Sequence, residues 1–90
     1  MDDILKQLEQ VLEDRKSAKA DESYVSSLYA KGLDEILKKI GEESAEVIMA
    51  AKDGEQDKII YEVADLWFHT LVLLRHKDIE VDKIQDELSS

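Results

Sequence analysis

Acidic side chains recur as spaced pairs at two places in the sequence. Glu43 and Glu46 are three residues apart, and Glu62 and Asp65 repeat that spacing further along the chain. Residues three apart on a helix are neighbours on one face. Each pair also flanks the apolar stripe of its predicted helix, so each helix presents two carboxylates beside its buried side. If the two helices pack antiparallel, the four carboxylates face one another.

Four carboxylates that converge in a partly buried place repel one another, and burial disfavours each charge. A divalent cation between them relieves both effects. A cluster with no Cys, and no His on the Glu side, favours Mg²⁺ or Mn²⁺ over Zn²⁺. The sequence therefore predicts a Mg²⁺ site formed by Glu43, Glu46, Glu62 and Asp65. The spacing alone leaves open the alternative that these acids lie on solvated helix faces.

Basic residues that would help a metal to bind phosphate come mostly just before the first acidic pair. The candidates for phosphate binding are Lys31, Lys38, Lys39 and Arg15. Lys39 lies about one turn before Glu43, so a simple i, i+4 ion pair is the alternative interpretation of that lysine.

Other polar side chains of these segments are assigned chemical or structural roles. His69 lies inside an apolar stretch, where a hydrogen-bonded core residue is a better expectation than a ligand. Tyr24 and Tyr29 have the rings to stack on a purine, but packing of their short helix is the favoured interpretation.

Five helical segments are predicted to carry these residues: 2–16, 24–30, 33–53, 56–76 and 81–88. Pro is absent, Gly occurs only three times, and no strand-like alternation is sustained. Ser23 is expected to cap the second helix and Gly54 to end the third. The predicted fold class is therefore all-α, a bundle of four to five helices in which an antiparallel pair carries the metal site.

The size of the chain and one apolar segment predict self-association. Ninety residues make a single domain, 1–90, that buries only about two-thirds of its unfolded surface. Residues 66–74 are apolar almost all round, and such a helix must be covered on several sides. We therefore expect a helical homodimer, the commonest kind of symmetric assembly.

The balance of acidic and basic residues excludes some classes of binding partner. Twenty-two acids against twelve bases give a formal net charge of -10, which excludes a duplex-binding protein and repels nucleotides at long range. The N-terminal stretch is charged and unlike a signal peptide, and residues 66–74 are too few to span a bilayer. We expect a soluble cytoplasmic protein that binds neither a nucleic-acid polymer nor a membrane.

The ordered motifs are similar to those of a known enzyme family. Residues 38–46, KKIGEESAE, and residues 62–65, EVAD, resemble the E-E-x-x-E and E-x-x-D motif of the all-α nucleoside triphosphate pyrophosphohydrolases. More narrowly, the segments 23–28, 31–34 and 62–74 resemble the phosphoribosyl-ATP pyrophosphatase family. Together these segments cover most of residues 4–75.

The resemblance implies a Mg²⁺-dependent hydrolase that cuts the α–β phosphoanhydride of phosphoribosyl-ATP. The products are pyrophosphate and phosphoribosyl-AMP, in the second step of histidine biosynthesis. It also implies Mg²⁺ bound by the four carboxylates, Glu42 as a further ligand or its neighbour, and a helical dimer. For such a reaction, which depends mostly on positioning and charge stabilisation, we expect Glu42 or Glu46 to accept the proton of the attacking water. Some relatives are fused to the cyclohydrolase that acts next, which here would be a separate protein. Asp21 and Glu22 stand where many relatives have Pro, a departure that affects only a loop.

Two alternatives to this function remain at the level of sequence. One is a pyrophosphohydrolase of broader specificity that cleans up (d)NTPs with the same metal site. The other is a non-catalytic helical dimerisation module whose acids are solvated. Residues 31–32 and the KKIGEE run favour phosphoribosyl-ATP over the broader substrate range, and the acids beside apolar stripes favour both enzymes over the module.

Overall fold

The computed structural model describes residues 2–90 of the chain, and the side chains of residues 4–90. Within this part there are five α-helices and no strand, which confirms the all-α prediction. The helices are α1 (Asp2–Asp14), α2 (Tyr24–Lys31), α3 (Leu33–Asp53), α4 (Gln56–His76) and α5 (Val81–Leu88). The predicted end of the first helix is a separate 3-10 turn, Arg15–Ser17.

The helix ends follow from local chemistry. The Ser23 side chain accepts a hydrogen bond from the Ser26 backbone N–H at 3.0 Å, which confirms it as the cap of α2. Gly54 ends α3 in the left-handed region at φ 80°, and its N–H binds the Ala50 carbonyl. Only Gly54 and Glu55 separate α3 from α4. So short a connection forces the two longest helices to pack against each other as an antiparallel hairpin.

The other helices cover this hairpin on different sides. α2 packs on α3, α1 packs on α4, and α5 packs on α1. Their apolar side chains meet in one core cluster, whose buried members are Leu12, Val25, Leu28, Ile36, Leu71, Val72 and Val81. Because every helix contributes to this cluster, the core holds α2 against the hairpin close to the acidic residues.

A nearly buried arginine fastens the C-terminal part of the chain to α1. The Arg75 guanidinium donates to Glu13 Oε1 at 2.9 Å and to the Ile79 carbonyl at 2.7 Å, and it also pairs with Glu9. Glu9 in turn accepts the Val81 backbone N–H at the start of α5. One charged network therefore fixes the positions of α1, α4 and α5 relative to one another.

Replacing Arg75 by Met is expected to lower the free energy of unfolding by about 3 kcal/mol, because the nearly buried Glu9 loses the cation that compensates its charge and Glu13 loses a hydrogen bond. Urea unfolding at fixed protein concentration measures the change. Lys58→Met is the matched control, because Lys58 pairs with Glu55 in full solvent, and its effect should stay below about 0.5 kcal/mol. Equal destabilisation by both variants would contradict the role given to Arg75.

Part of the predicted apolar stripes is not buried within the chain. Ile60 is 57% exposed and Trp67 is 55% exposed, and Ala64 between them is also exposed. These three residues follow i, i+4, i+7 spacing, so they share one face of α4, called the α4 stripe below. Leu37 and Ile48 on α3 are exposed as well, so apolar side chains of α3 also lie outside the core of the single chain.

None of the helices described here combines the length and the apolar character needed to cross a bilayer.

Candidate functional site

Acidic residues of α3 and α4 meet in antiparallel order. Near the turn, Asp53 lines an open cleft of about 400 Å³ opposite Lys58, and Glu46 and Glu62 line the same cleft. Farther from the turn, the carboxylates of Glu43 and Asp65 come together. One contact lies near the turn and the other near the middle of both helices, so all four predicted carboxylates lie on the facing sides of the hairpin.

The four carboxylates form two groups. Ligand-type atoms of Glu43, Asp65 and His69 lie within 4.8 Å of one another, and these three residues are called the inner cluster. Glu46 and Glu62 line the adjoining cleft, called the outer cleft, where Glu46 is exposed and Glu62 half-buried. The structure therefore pairs Glu43 with Asp65 across the helices and leaves the exposed Glu46 and the half-buried Glu62 in the cleft beside them.

Glu43 has an unusual environment for an acid. Only 7% of the residue is exposed, and it lies beside the Asp65 carboxylate. Burial, together with the hydrogen bond and negative charge of Asp65, raises the pKa of Glu43 from 4.5 to about 7. The opposing effect of Lys39 is smaller, since its Nζ is 4.0 Å from the Glu43 carboxylate. A divalent cation would compensate the charge on both acids, and their oxygen donors suit such an ion.

The raised pKa of Glu43 makes the stability of the metal-free protein depend on pH. Folding favours the protonated carboxyl, so this stabilisation is complete below pH 4.5 and is lost as pH rises through about 7. The melting temperature in EDTA should therefore fall between pH 5 and 8, and Glu43→Gln should remove that part of the fall. Thermal unfolding of both proteins across the range measures the difference. Parallel curves for the two proteins would contradict the assignment.

His69 is buried with both ring nitrogens engaged. Nδ1 lies 2.9 Å from the Asp65 backbone carbonyl, and Nε2 lies 2.7 Å from the Tyr24 hydroxyl. A carbonyl oxygen only accepts, so Nδ1 carries a hydrogen, and in the neutral tautomer with that hydrogen Nε2 accepts the Tyr24 O–H. The expectation of a hydrogen-bonded core residue is confirmed. Metal binding by His69 would require one of these bonds to break.

One of the four predicted phosphate-binding cations lies against the acids. Lys39 Nζ is 3.4 Å from Glu42 and forms the anticipated i, i+4 pair with Glu43. Lys31, Lys38 and Arg15 are exposed, and the Arg15 carbonyl accepts a hydrogen bond from Ser26 on α2.

The two tyrosines of α2 have different surroundings. Tyr29 is half-buried, and its hydroxyl donates to the Leu12 carbonyl at 3.0 Å, so its packing role is confirmed. Tyr24 is 49% exposed and reaches the inner cluster through His69, so its assignment to packing over purine stacking stays a prediction. His69 follows Asp65 by four residues and therefore lies on the same face of α4, but no spacing in the sequence indicated its contact with Tyr24.

Comparisons with known proteins agree on one family. The family model described as phosphoribosyl-ATP pyrophosphohydrolase matches residues 5–90. A phosphoribosyl-ATP pyrophosphatase of Ruthia magnifica is 80% identical over 89 residues, which are 99% of this chain and 85% of that protein. Proteins of the same name are 56% identical in Hydrogenovibrio crunogenus and 57% identical in Methylococcus capsulatus. Each covers 96% of this chain, and the matches span 80% and 82% of those two relatives.

Proposed function

Because the chain belongs to the phosphoribosyl-ATP pyrophosphohydrolase family, we propose that it hydrolyses phosphoribosyl-ATP to phosphoribosyl-AMP and pyrophosphate, the second step of histidine biosynthesis. The bond cut is the α–β phosphoanhydride. The structural observation that supports this proposal most is the buried Glu43 carboxylate against Asp65, between two antiparallel helices. A dimerisation module whose acids are solvated does not require a carboxylate that is buried where its ionised form is destabilised.

Mg²⁺ is the proposed cofactor, with Mn²⁺ as its substitute. Glu43 and Asp65 of the inner cluster would hold it from one side, and Glu46 and Glu62 of the outer cleft from the other. All eight oxygens of these side chains are hard donors of the kind Mg²⁺ prefers. When bound, the cation supplies charge to the phosphate oxygens and makes an attacking water more acidic.

The remaining polar groups are proposed to orient the substrate and to move one proton. Glu46 is better placed than Glu42 to take the proton of the attacking water, because Glu46 faces the open cleft while Glu42 is paired with Lys39. Lys39 is proposed to leave this pair and contact a phosphate when the substrate arrives. Lys31, Lys38 and Arg15 are exposed and would provide further phosphate contacts.

A homodimer is proposed on the basis of uncovered apolar surface. The α4 stripe continues into an apolar groove of about 420 Å³ between α1, α4 and α5. Its apolar lining includes Leu5, Leu66, Trp67, Leu71, Leu74 and Leu88. A tryptophan over half exposed beside such a groove is typical of a protein–protein interface, where large aromatics carry much of the binding energy.

Pyrophosphate release from phosphoribosyl-ATP and from a panel of dNTPs, with Mg²⁺ and with EDTA, tests the proposed function. We expect kcat/KM for phosphoribosyl-ATP to exceed that of every dNTP by at least about 100-fold, since a site with groups for an extra ribose phosphate discriminates strongly against substrates lacking it. Comparable rates with dNTPs would favour the broader pyrophosphohydrolase. If folded protein releases no pyrophosphate from any substrate, the result would favour the non-catalytic dimerisation module. The cytoplasmic location stays a prediction.

A further inference from the structure

Tyr24 is oriented the opposite way from most surface tyrosines. Amphipathic side chains usually cover apolar surface with their stem and place the polar tip in water. The Tyr24 hydroxyl instead points inward to His69, of which only 3% is exposed. The residue as a whole is nevertheless 49% exposed. Its hydroxyl is therefore engaged by a buried imidazole while about half of the residue stays accessible to a ligand.

The ring is held in this position from several sides. The hydroxyl bond to His69 is 2.7 Å long, and the two rings meet edge to face at 85° with centroids 5.7 Å apart. Phe68 packs on the same imidazole at 82°. His69 is tied through Nδ1 to the Asp65 carbonyl. Tyr24 is thus fixed to α4 at the level of the inner cluster, although its backbone belongs to α2.

The surroundings define what could lie against the exposed ring. Asp65 is joined to Tyr24 through His69, and the charges of Lys39, Asp65 and Glu43 all act on the phenol. Phosphates held at the inner cluster would therefore lie beside this ring. A nucleotide with its α-phosphate at that point carries its base on the adjoining ribose. Aromatic faces accept any base by stacking, which adds affinity without hydrogen-bond readout.

We propose that the exposed face of Tyr24 stacks on the purine base of the substrate and that His69 is a positioning residue that fixes the ring for this contact. The proposal rests on the proposed function only for the identity of the nucleotide. It assigns the phosphates to the acidic residues and the base to a separate aromatic surface contributed by α2.

ATP carries a purine base and inorganic tripolyphosphate has none, so comparing the two ligands tests whether the base and the phosphates bind at separate surfaces. ATP and inorganic tripolyphosphate are titrated into the protein with Mg²⁺, and KM and kcat for phosphoribosyl-ATP are measured beside them. Tyr24→Leu should weaken ATP binding and raise KM by about tenfold, because the stacking surface is lost. Tripolyphosphate affinity and kcat should stay within about threefold of the parent. Tyr24→Phe keeps the ring and loses the anchor, so its effect should be only about threefold.

Tyr29→Phe is the matched control, because it removes a bonded hydroxyl from the same helix without touching the inner cluster, and it should leave ATP affinity unchanged. The proposal is overturned if Tyr24→Leu binds ATP as tightly as the parent protein, or loses ATP and tripolyphosphate affinity by the same factor. If Tyr24→Leu is a monomer that binds ATP as tightly as the parent protein, the stacking proposal is also overturned, and the Tyr24 ring would instead contact a partner chain. A parent protein that binds ATP but does not cleave phosphoribosyl-ATP would count against the proposed function alone.

Discussion

Replacing Glu43 by Gln is expected to lower kcat for phosphoribosyl-ATP by at least about 100-fold, since the substitution removes a charged ligand of the proposed Mg²⁺ site. The physical reason is specific to this position. Glu43 is the most buried of the four predicted carboxylates, and Asp65 raises its pKa further, so only a bound cation gives its ionised form a favourable environment. Asp65→Asn should have a similar effect, and its backbone carbonyl remains available to His69.

The same variant should also lose its response to metal in a measurement without substrate. Mg²⁺ that binds the folded state raises the melting temperature of the parent protein, and this rise should be absent in Glu43→Gln. Glu55→Gln makes the identical chemical change at the α3–α4 turn, where Glu55 is exposed and pairs with Lys58. It should leave both turnover and the thermal shift intact. Full turnover by folded Glu43→Gln at saturating Mg²⁺ would remove Glu43 from the site.

Trp67→Glu is expected to convert the proposed homodimer to monomers. Truncating a central aromatic of an interface typically removes 2 kcal/mol or more of binding energy, about a 30-fold rise in Kd, and a carboxylate buried in its place raises Kd further. Trp67 is the largest side chain of the α4 stripe and also lines the apolar groove. Sedimentation velocity across a range of protein concentrations measures the mass of each species.

Ile79→Glu is the control for that experiment. Ile79 is an exposed apolar residue of the loop after α4, and its hydrogen bonds are made by its backbone, which the substitution keeps. It should keep the parent mass. A dimer that survives Trp67→Glu would place the interface elsewhere, and a parent protein that sediments as a monomer at all concentrations would refute the homodimer. Because dissociation of a dimer makes unfolding depend on protein concentration, the unfolding curve of the parent protein should shift with concentration more than that of Trp67→Glu.

Local features of the sequence were sufficient for the helices and for the pairing of the acids. Ser23 and Gly54 determine helix ends through bonds made within a few residues, which any helix of this sequence would need. The two-residue connection formed by Gly54 and Glu55 leaves α3 and α4 no arrangement but a hairpin. Once the hairpin is antiparallel, the three-residue spacing within each acidic pair places all four carboxylates on facing sides.

The unequal character of the four acids was decided only by the tertiary structure. Glu43 and Glu46 are three residues apart on one side of α3, yet Glu43 is buried against Asp65 while Glu46 is exposed in the outer cleft. Helical periodicity gives the direction of a side chain from its own axis. It does not say how deeply a neighbouring helix covers it, and that depth determines which carboxyl has its pKa raised.

The sequence by itself thus determined the all-α class, the helix hairpin and the family, because periodicity, capping and ordered motifs depend on residues close together in the chain. The tertiary structure alone brought Tyr24 of α2 to His69 of α4, across forty-five positions, and so added an aromatic surface to the acidic site. It also left Trp67 outside the core. Both outcomes depend on how separate helices pack, since burial and long-range hydrogen bonds are properties of the assembled core and not of any one segment.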